Sequence, residues 1–220
     1  MQTETAAIKV LLVEDHPMFR ERLASIISKR GDMAVCGEAD NAHDALALAE
    51  TLQPNIAIVD ITLRGSNGLD FLKDLKARDI ALPVLVLSMH DEAIYAERVL
   101  RAGARGYITK YEASSEVMAA IEQVLSGEVY LSRQMTSRML GRFAVGKKAE
   151  PGDVSALTDR ELDVFQRIGR GETGRDIAEA LHVGVTTIDT YRARIKEKLG
   201  LRNGAELQRR AMEWAQENPA

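Results

Sequence analysis

The chain has 220 residues, is 45% apolar and 28% charged, and carries a net charge of −4. Such a composition fits one large or two ordinary globular domains, and with no apolar run near roughly twenty residues it excludes a membrane-spanning helix. The charge is uneven: residues 1–125 sum to −6, residues 126–150 to +3 and residues 151–220 to −1. An acidic front half suits a metal ion better than nucleic acid, while a nearly neutral rear half does not by itself advertise a nucleic-acid surface. Met1 to Thr5 carry neither a basic stretch nor an apolar one, so a cytoplasmic protein is expected. The single Cys36 has no internal disulfide partner and, after Ala34 and Val35, is predicted to be a buried small hydrophobe.

Ile8 to Val13 is a short apolar run that ends in Glu14-Asp15. His16-Pro17 then opens a helix whose apolar stripe is Phe19, Leu23, Ile26 and Ile27. Met33–Ala39 reads as a second strand, and Asn41 as the N-cap of a helix reaching Leu52. After Pro54 comes Asn55-Ile56-Ala57-Ile58-Val59-Asp60, a β-branched run of the kind buried on both faces of a parallel sheet. Gly65 to Gly68 form a turn, followed by a helix bearing Leu69, Phe71, Leu72 and Leu75. Leu82–Ser88 is a fourth strand with Pro83 tolerated near its start, Ile94–Ala102 a helix closed by Gly103, and Gly106–Lys110 a fifth strand. Ser114 is predicted to cap the next helix, Val117–Leu125. Five alternating strand and helix units imply an α/β fold with a doubly wound, five-stranded parallel sheet.

Past Gly127 the pattern changes. Tyr130-Leu131-Ser132 leads to a short helix, Gln134–Arg142, and Gly146–Gly152 reads as a solvated linker. Thr158 and Glu161 form a capping box ahead of a helix with Leu162, Phe165 and Ile168 on its stripe. Helices over Gly174–Leu181, Thr186–Leu199 and Ala205–Gln216 follow, the last with Leu207, Ala211 and Trp214 on one face. The expected division is a domain at 1–127, a linker with a short helix at 128–153, and an all-α four-helix domain at 154–220.

Glu14, Asp15 and Asp60 all lie at C-terminal ends of parallel strands, where α/β sheets carry their sites. A strand-end Asp alone ordinarily caps a helix or a turn. The crossover rule, however, makes the first and third strands neighbours, so three carboxylates converge. Such a cluster repels itself unless a hard cation neutralises it, and oxygen ligands in a partly open site suit Mg2+. Ser88 adds a hydroxyl at the end of the fourth strand and Lys110 an ammonium after the fifth. His16 adjoins the acids but offers nitrogen to an ion that prefers oxygen, so it is read as helix-start scaffolding. His43, His90 and His182 have no metal-ligand spacing.

These residues, with Tyr107-Ile108-Thr109-Lys110, resemble the receiver domain of two-component response regulators over about residues 8–126. The resemblance implies that Asp60 is the phosphoacceptor for a histidine kinase. It also implies that Asp15, Asp60 and the Thr62 carbonyl bind Mg2+ while Glu14 acts through water. Lys110 would offset charge in the transition state, Ser88 would bond the phosphoryl oxygen, and Tyr107 would rotate inward.

The Gly174–Leu181 and Thr186–Leu199 helices around a Gly-containing turn make a helix-turn-helix pattern. On a helical wheel Ile188, Arg192, Ile195 and Leu199 share one side, and Thr186, Thr190, Ala193, Arg194 and Glu197 the other. The second set can enter a major groove, with Arg192, Arg194, Lys196 and Lys198 reaching phosphates. Leu157-Thr158-Asp159-Arg160-Glu161, Gly171, Asp176-Ile177-Ala178, Thr187-Ile188 and Lys198-Leu199-Gly200-Leu201 resemble the LuxR-type DNA-binding domain. The whole chain is thus similar to NarL/FixJ-family response regulators over about residues 8–216. Gly174, Tyr191 and Asp189 depart from common family residues, and an acid at Asp189 can accept a hydrogen bond from cytosine N4. The expected function is phosphorylation-controlled binding of double-stranded DNA, as a homodimer and without a membrane. One rival is a Mg2+-dependent aspartyl-phosphate hydrolase, disfavoured because Thr62 stands where such enzymes place a second carboxylate. Another is a regulator whose output domain binds protein or RNA.

Overall fold

The computed structural model describes residues 7–89, 92–145, 153–181 and 183–217. His90, His182 and the predicted linker at 146–152 lie outside them. The described chain divides into two units, one ending at Met139 and the other beginning at Leu140.

In the first unit β1 (Ile8–Val13), β2 (Met33–Ala39), β3 (Ile56–Val59), β6 (Val84–Ser88) and β7 (Gly106–Thr109) form a parallel sheet in the order β2-β1-β3-β6-β7. A two-stranded hairpin of β4 (Thr62–Leu63) and β5 (Ser66–Asn67) follows β3. The helices are α1 (Pro17–Ser28), α2 (Ala42–Leu52), α3 (Gly68–Ala77), α4 (Glu92–Ala102) and α5 (Ala113–Leu125). Successive strand residues face opposite sides. Val10, Leu12, Ile56, Ile58, Leu85, Leu87 and Ile108 therefore pack with Leu23 and Ile27 of α1 and Val117, Ile121 and Val124 of α5. The alternate residues Leu11, Val13, Ala57, Val59, Val84 and Val86 are equally buried, which explains why β3 and β6 read as unbroken apolar runs.

Asn41 caps α2 as expected, its side chain accepting from the Asp44 amide at 2.9 Å. Ser114 does not cap α5: the helix begins one residue earlier, at Ala113, after Glu112. Thr109 Oγ1 donates to the Glu112 carboxylate at 2.7 Å, which ties the strand end to the helix start. Cys36 is half-buried rather than buried, and burial still pushes its thiol up.

Residues 128–135, expected to be linker, are built into the first unit. Tyr130 bridges Gly106 alongside β7, its carbonyl accepting from the Tyr107 amide at 3.0 Å, and Met135 at the start of α6 (Arg133–Val145) is buried.

The second unit holds a 3-10 turn, η1 (Val154–Ala156), and four helices, α7 (Asp159–Gly169), α8 (Gly174–Ala180), α9 (Val185–Leu199) and α10 (Gly204–Glu217). The Thr158–Glu161 capping box is present, and Thr173 with Asp176 makes a second one on α8. Leu162, Phe165, Ile168, Ile177, Ile188, Ile195, Leu207, Ala211 and Trp214 form the core, with Phe165 and Trp214 edge to face at 5.8 Å.

Candidate functional site

Because the strands are parallel, their C-terminal ends share one edge of the sheet. The ladder runs one bond further at each place where a polar residue is needed. The Glu14 amide donates to the Ala39 carbonyl at 2.9 Å, that of Asp60 to Val13 at 2.9 Å and that of Lys110 to Ser88 at 2.8 Å. Glu14, Asp60, Ser88 and Lys110 are thereby fixed by backbone, and all four are buried. Lys110 Nζ lies 2.6 Å from Glu14 Oε2 and 2.7 Å from Asp60 Oδ2, so one ammonium spans two carboxylates.

Glu14, Asp15, His16 and Asp60 bring ligand atoms within 4.8 Å of one another. Asp60 Oδ1 is buried and accepts no hydrogen bond, and the buried Asp15 Oδ1 faces only the ring of His16. An orphaned, buried carboxylate oxygen among gathered acids is a group that could hold a metal ion. Burial pushes the Asp60 carboxyl up to about 6; the Lys110 charge opposes this and the Glu14 charge adds to it. Burial also works against the Lys110 ammonium, but the Asp60 and Glu14 carboxylates outweigh it and hold it above its ordinary value.

Thr62 opens the small hairpin, and its backbone amide is directed at the Asp60 carboxylate. His16 was set aside from the sequence, yet its ring Nδ1 sits 2.7 Å from Asp15 Oδ1 and 3.2 Å from Glu14 Oε1. The Tyr107 ring, expected to rotate inward on phosphorylation, is fully buried here, with its hydroxyl engaged by Ser88. Burial pushes that hydroxyl far up, so it stays neutral.

Sequence reasoning missed Gly68, which it took only as a turn residue. A Cβ there would lie 2.2 Å from the Asp60 carbonyl oxygen, and the Gly68 amide donates to the Ile61 carbonyl at 2.8 Å. Only glycine lets the start of α3 approach the backbone that carries Asp60 so closely.

In the second unit Thr186, Asp189, Thr190, Ala193 and Arg194 are exposed on one side of α9, and Ile188, Ile195 and Leu199 are buried on the other. Thr187, Arg192 and Lys196 are half-buried. Lys198, expected at a phosphate, has its ammonium 2.6 Å from Glu161 Oε2, an oxygen that also accepts the Thr158 amide at 2.7 Å. The wheel places Lys198 near the outer face, but the buried Glu161 turns its side chain back onto α7.

A model of the response regulator receiver domain matches residues 10–122, and one of bacterial regulatory proteins of the luxR family matches residues 155–211. The chain belongs to the NarL/FixJ-type two-component response regulators. This regulator is 33% identical over 199 residues to the virulence-factor transcription regulator BvgA of Bordetella pertussis, covering 90% of this chain and 94% of that one. It is 29% identical to the nitrate/nitrite response regulator NarL of Escherichia coli, over 90% and 91% of the two chains. Among solved structures, RcsB of Salmonella enterica serovar Typhimurium, bound to promoter rprA with the phosphomimetic BeF3-, is similar in fold. It has a TM-score of 0.64 at 21% identity, over 92% of this regulator and 97% of that chain. The regulator thus joins a receiver to a LuxR-type DNA-binding domain, and its relatives regulate transcription. No helix among the described residues is long and apolar enough to cross a membrane.

Proposed function

We propose that Asp60 accepts a phosphoryl group from the phosphohistidine of a kinase, and that the resulting acyl phosphate controls binding of a homodimer to duplex DNA in the cytoplasm. The observation that carries this reading is the Lys110 ammonium 2.6 Å from Glu14 and 2.7 Å from Asp60, whose other carboxylate oxygen is buried and accepts no hydrogen bond. Asp15, Asp60 and the Thr62 carbonyl would hold Mg2+, with Glu14 acting through water. When bound, the ion supplies charge neutralisation for the transferring phosphoryl oxygens.

Asp60 forms the new P–O bond as the P–N bond to the imidazole breaks, so the phosphoryl group moves without an external oxidant or base. Lys110 transfers one donor from Asp60 Oδ2 to a phosphoryl oxygen. Ser88 turns its hydroxyl from Tyr107 to another. With Tyr107 buried as it is here, the change passed on is the loss of its hydroxyl partner next to α4. On this reading the chain is a switch and not a turnover enzyme, since Thr62 stands where an aspartyl-phosphate hydrolase places its second carboxylate.

For DNA, Thr186, Thr187, Asp189, Thr190 and Ala193 would face base edges, and Arg192, Arg194 and Lys196 phosphates. One short helix offers few base contacts, which favours a dimer on two half-sites roughly 10 bp apart. The test is labelling with acetyl phosphate and Mg2+. The wild-type chain should gain hydroxylamine-labile label and Asp60→Ala should gain none; equal labelling of both refutes the assignment.

A further inference from the structure

Lys110 has a third neighbour that the phosphoacceptor chemistry does not account for. The ring of Phe19, on the first turn of α1, stands with its centroid 4.6 Å from Lys110 Nζ. An ammonium has three N–H donors, and here carboxylates at 2.6 and 2.7 Å engage it on two sides while the ring covers another. The π face attracts a cation without fixing its direction, and it does so most strongly where water is excluded, as around this buried lysine.

From this geometry, and resting on the reading of Asp60 as phosphoacceptor, we infer that Phe19 is a positioning residue for Lys110. The reason lies in what Lys110 must do. It reaches from the end of β7 across to β3, and on phosphoryl transfer it has to leave Asp60 Oδ2 for an oxygen further out. A hydrogen-bonding neighbour in place of the ring would hold the ammonium in one place. An aliphatic neighbour would let it collapse onto Glu14, the carboxylate that phosphoryl transfer leaves unchanged. The ring does neither: it keeps the charge over the site and lets it slide. Phe19 is only half-buried and lies at the rim of the core cluster formed by Leu23, Ile27 and the sheet, so its apolar packing alone is replaceable.

The test compares Phe19→Leu, which keeps an apolar side chain without a ring, with Phe19→Trp, which keeps the π face. At saturating Mg2+ and acetyl phosphate, Phe19→Leu should be labelled threefold to tenfold more slowly than wild type. Its Mg2+ half-saturation and melting temperature should be unchanged, and Phe19→Trp should recover to within twofold. In parallel, the upfield ring-current shift of the Lys110 ε-methylene protons should be present in wild type and lost in the leucine variant. Wild-type labelling by Phe19→Leu, a tryptophan variant as slow as the leucine one, or a matching loss of Mg2+ affinity would each overturn the inference and leave the phosphoacceptor assignment standing. A wild-type chain that takes no label overturns both.

Discussion

Replacing Gly68 with alanine would drive a methyl group into the backbone of the proposed phosphoacceptor. The new Cβ would sit 2.2 Å from the Asp60 carbonyl oxygen, whereas ordinary contact begins at 3.4 Å, so the two backbones must part by about 1.2 Å. The obstacle is main chain at the end of a central strand, with the Asp60 amide bonded to Val13, so no side chain can give way instead. A displacement near 1 Å at a reacting group costs roughly a hundredfold in rate, about 3 kcal/mol in the barrier. The forced separation should also destabilise the first unit by about 1–3 kcal/mol, less the few tenths to 1 kcal/mol alanine gains in a helix. The assay is the initial rate of acyl-phosphate formation, with folded fraction followed by circular dichroism. Gly31→Ala, where a Cβ meets nothing within 4 Å, is the control. Labelling of Gly68→Ala within twofold of wild type, with an unshifted melting curve, would refute the argument.

The second unit yields predictions that separate scaffold from DNA contact. Lys198→Met should lower its stability by about 1–3 kcal/mol, because the buried Glu161 loses its cation, and should leave the salt dependence of DNA binding unchanged. Arg194→Ala should instead leave stability intact and make the slope of log affinity against log salt shallower by about one. An unchanged slope there removes Arg194 from the DNA face. Glu161 also predicts a pH dependence. Burial raises its carboxyl, but the Lys198 and Thr158 hydrogen bonds outweigh this and hold it below its ordinary 4.5. Its folded pKa is depressed, so its contribution is fully present above about 4.5 and is lost as pH falls below that value. The stability difference between wild type and Glu161→Gln, read from denaturant midpoints, should therefore shrink between neutral pH and pH 3; a constant difference contradicts it.

The sheet was legible because β1, β3 and β6 are buried on both faces and so lack the alternation that would have confused them with surface strands. The site was legible for a related reason, since Glu14, Asp60, Ser88 and Lys110 each terminate an apolar run, and a parallel sheet gathers such ends at one edge. What stayed hidden depends on contacts between distant segments. The 2.2 Å approach at Gly68 is a tertiary fact that a Gly-Ser-Asn-Gly turn does not announce. A helical wheel gives the direction of the Lys198 Cβ and not where a four-carbon stem carries its ammonium. Residues 128–135 read as linker because sequence does not show their backbone bonds to β7 or the pairing of the Ser132 amide with Glu92 at 2.8 Å. Ser114 was a reasonable cap by residue type, but Glu112, held by Thr109, starts the helix earlier.

The central claim is that chemistry at Asp60 controls DNA binding by the other unit. Its most direct test is the affinity of the full-length chain for a DNA site recovered by selection, measured with and without beryllofluoride and Mg2+, together with its oligomeric state by sedimentation. Beryllofluoride should tighten binding and favour the dimer, and Asp60→Ala should respond to neither. Unchanged affinity and unchanged oligomeric state in the wild-type chain would contradict the account.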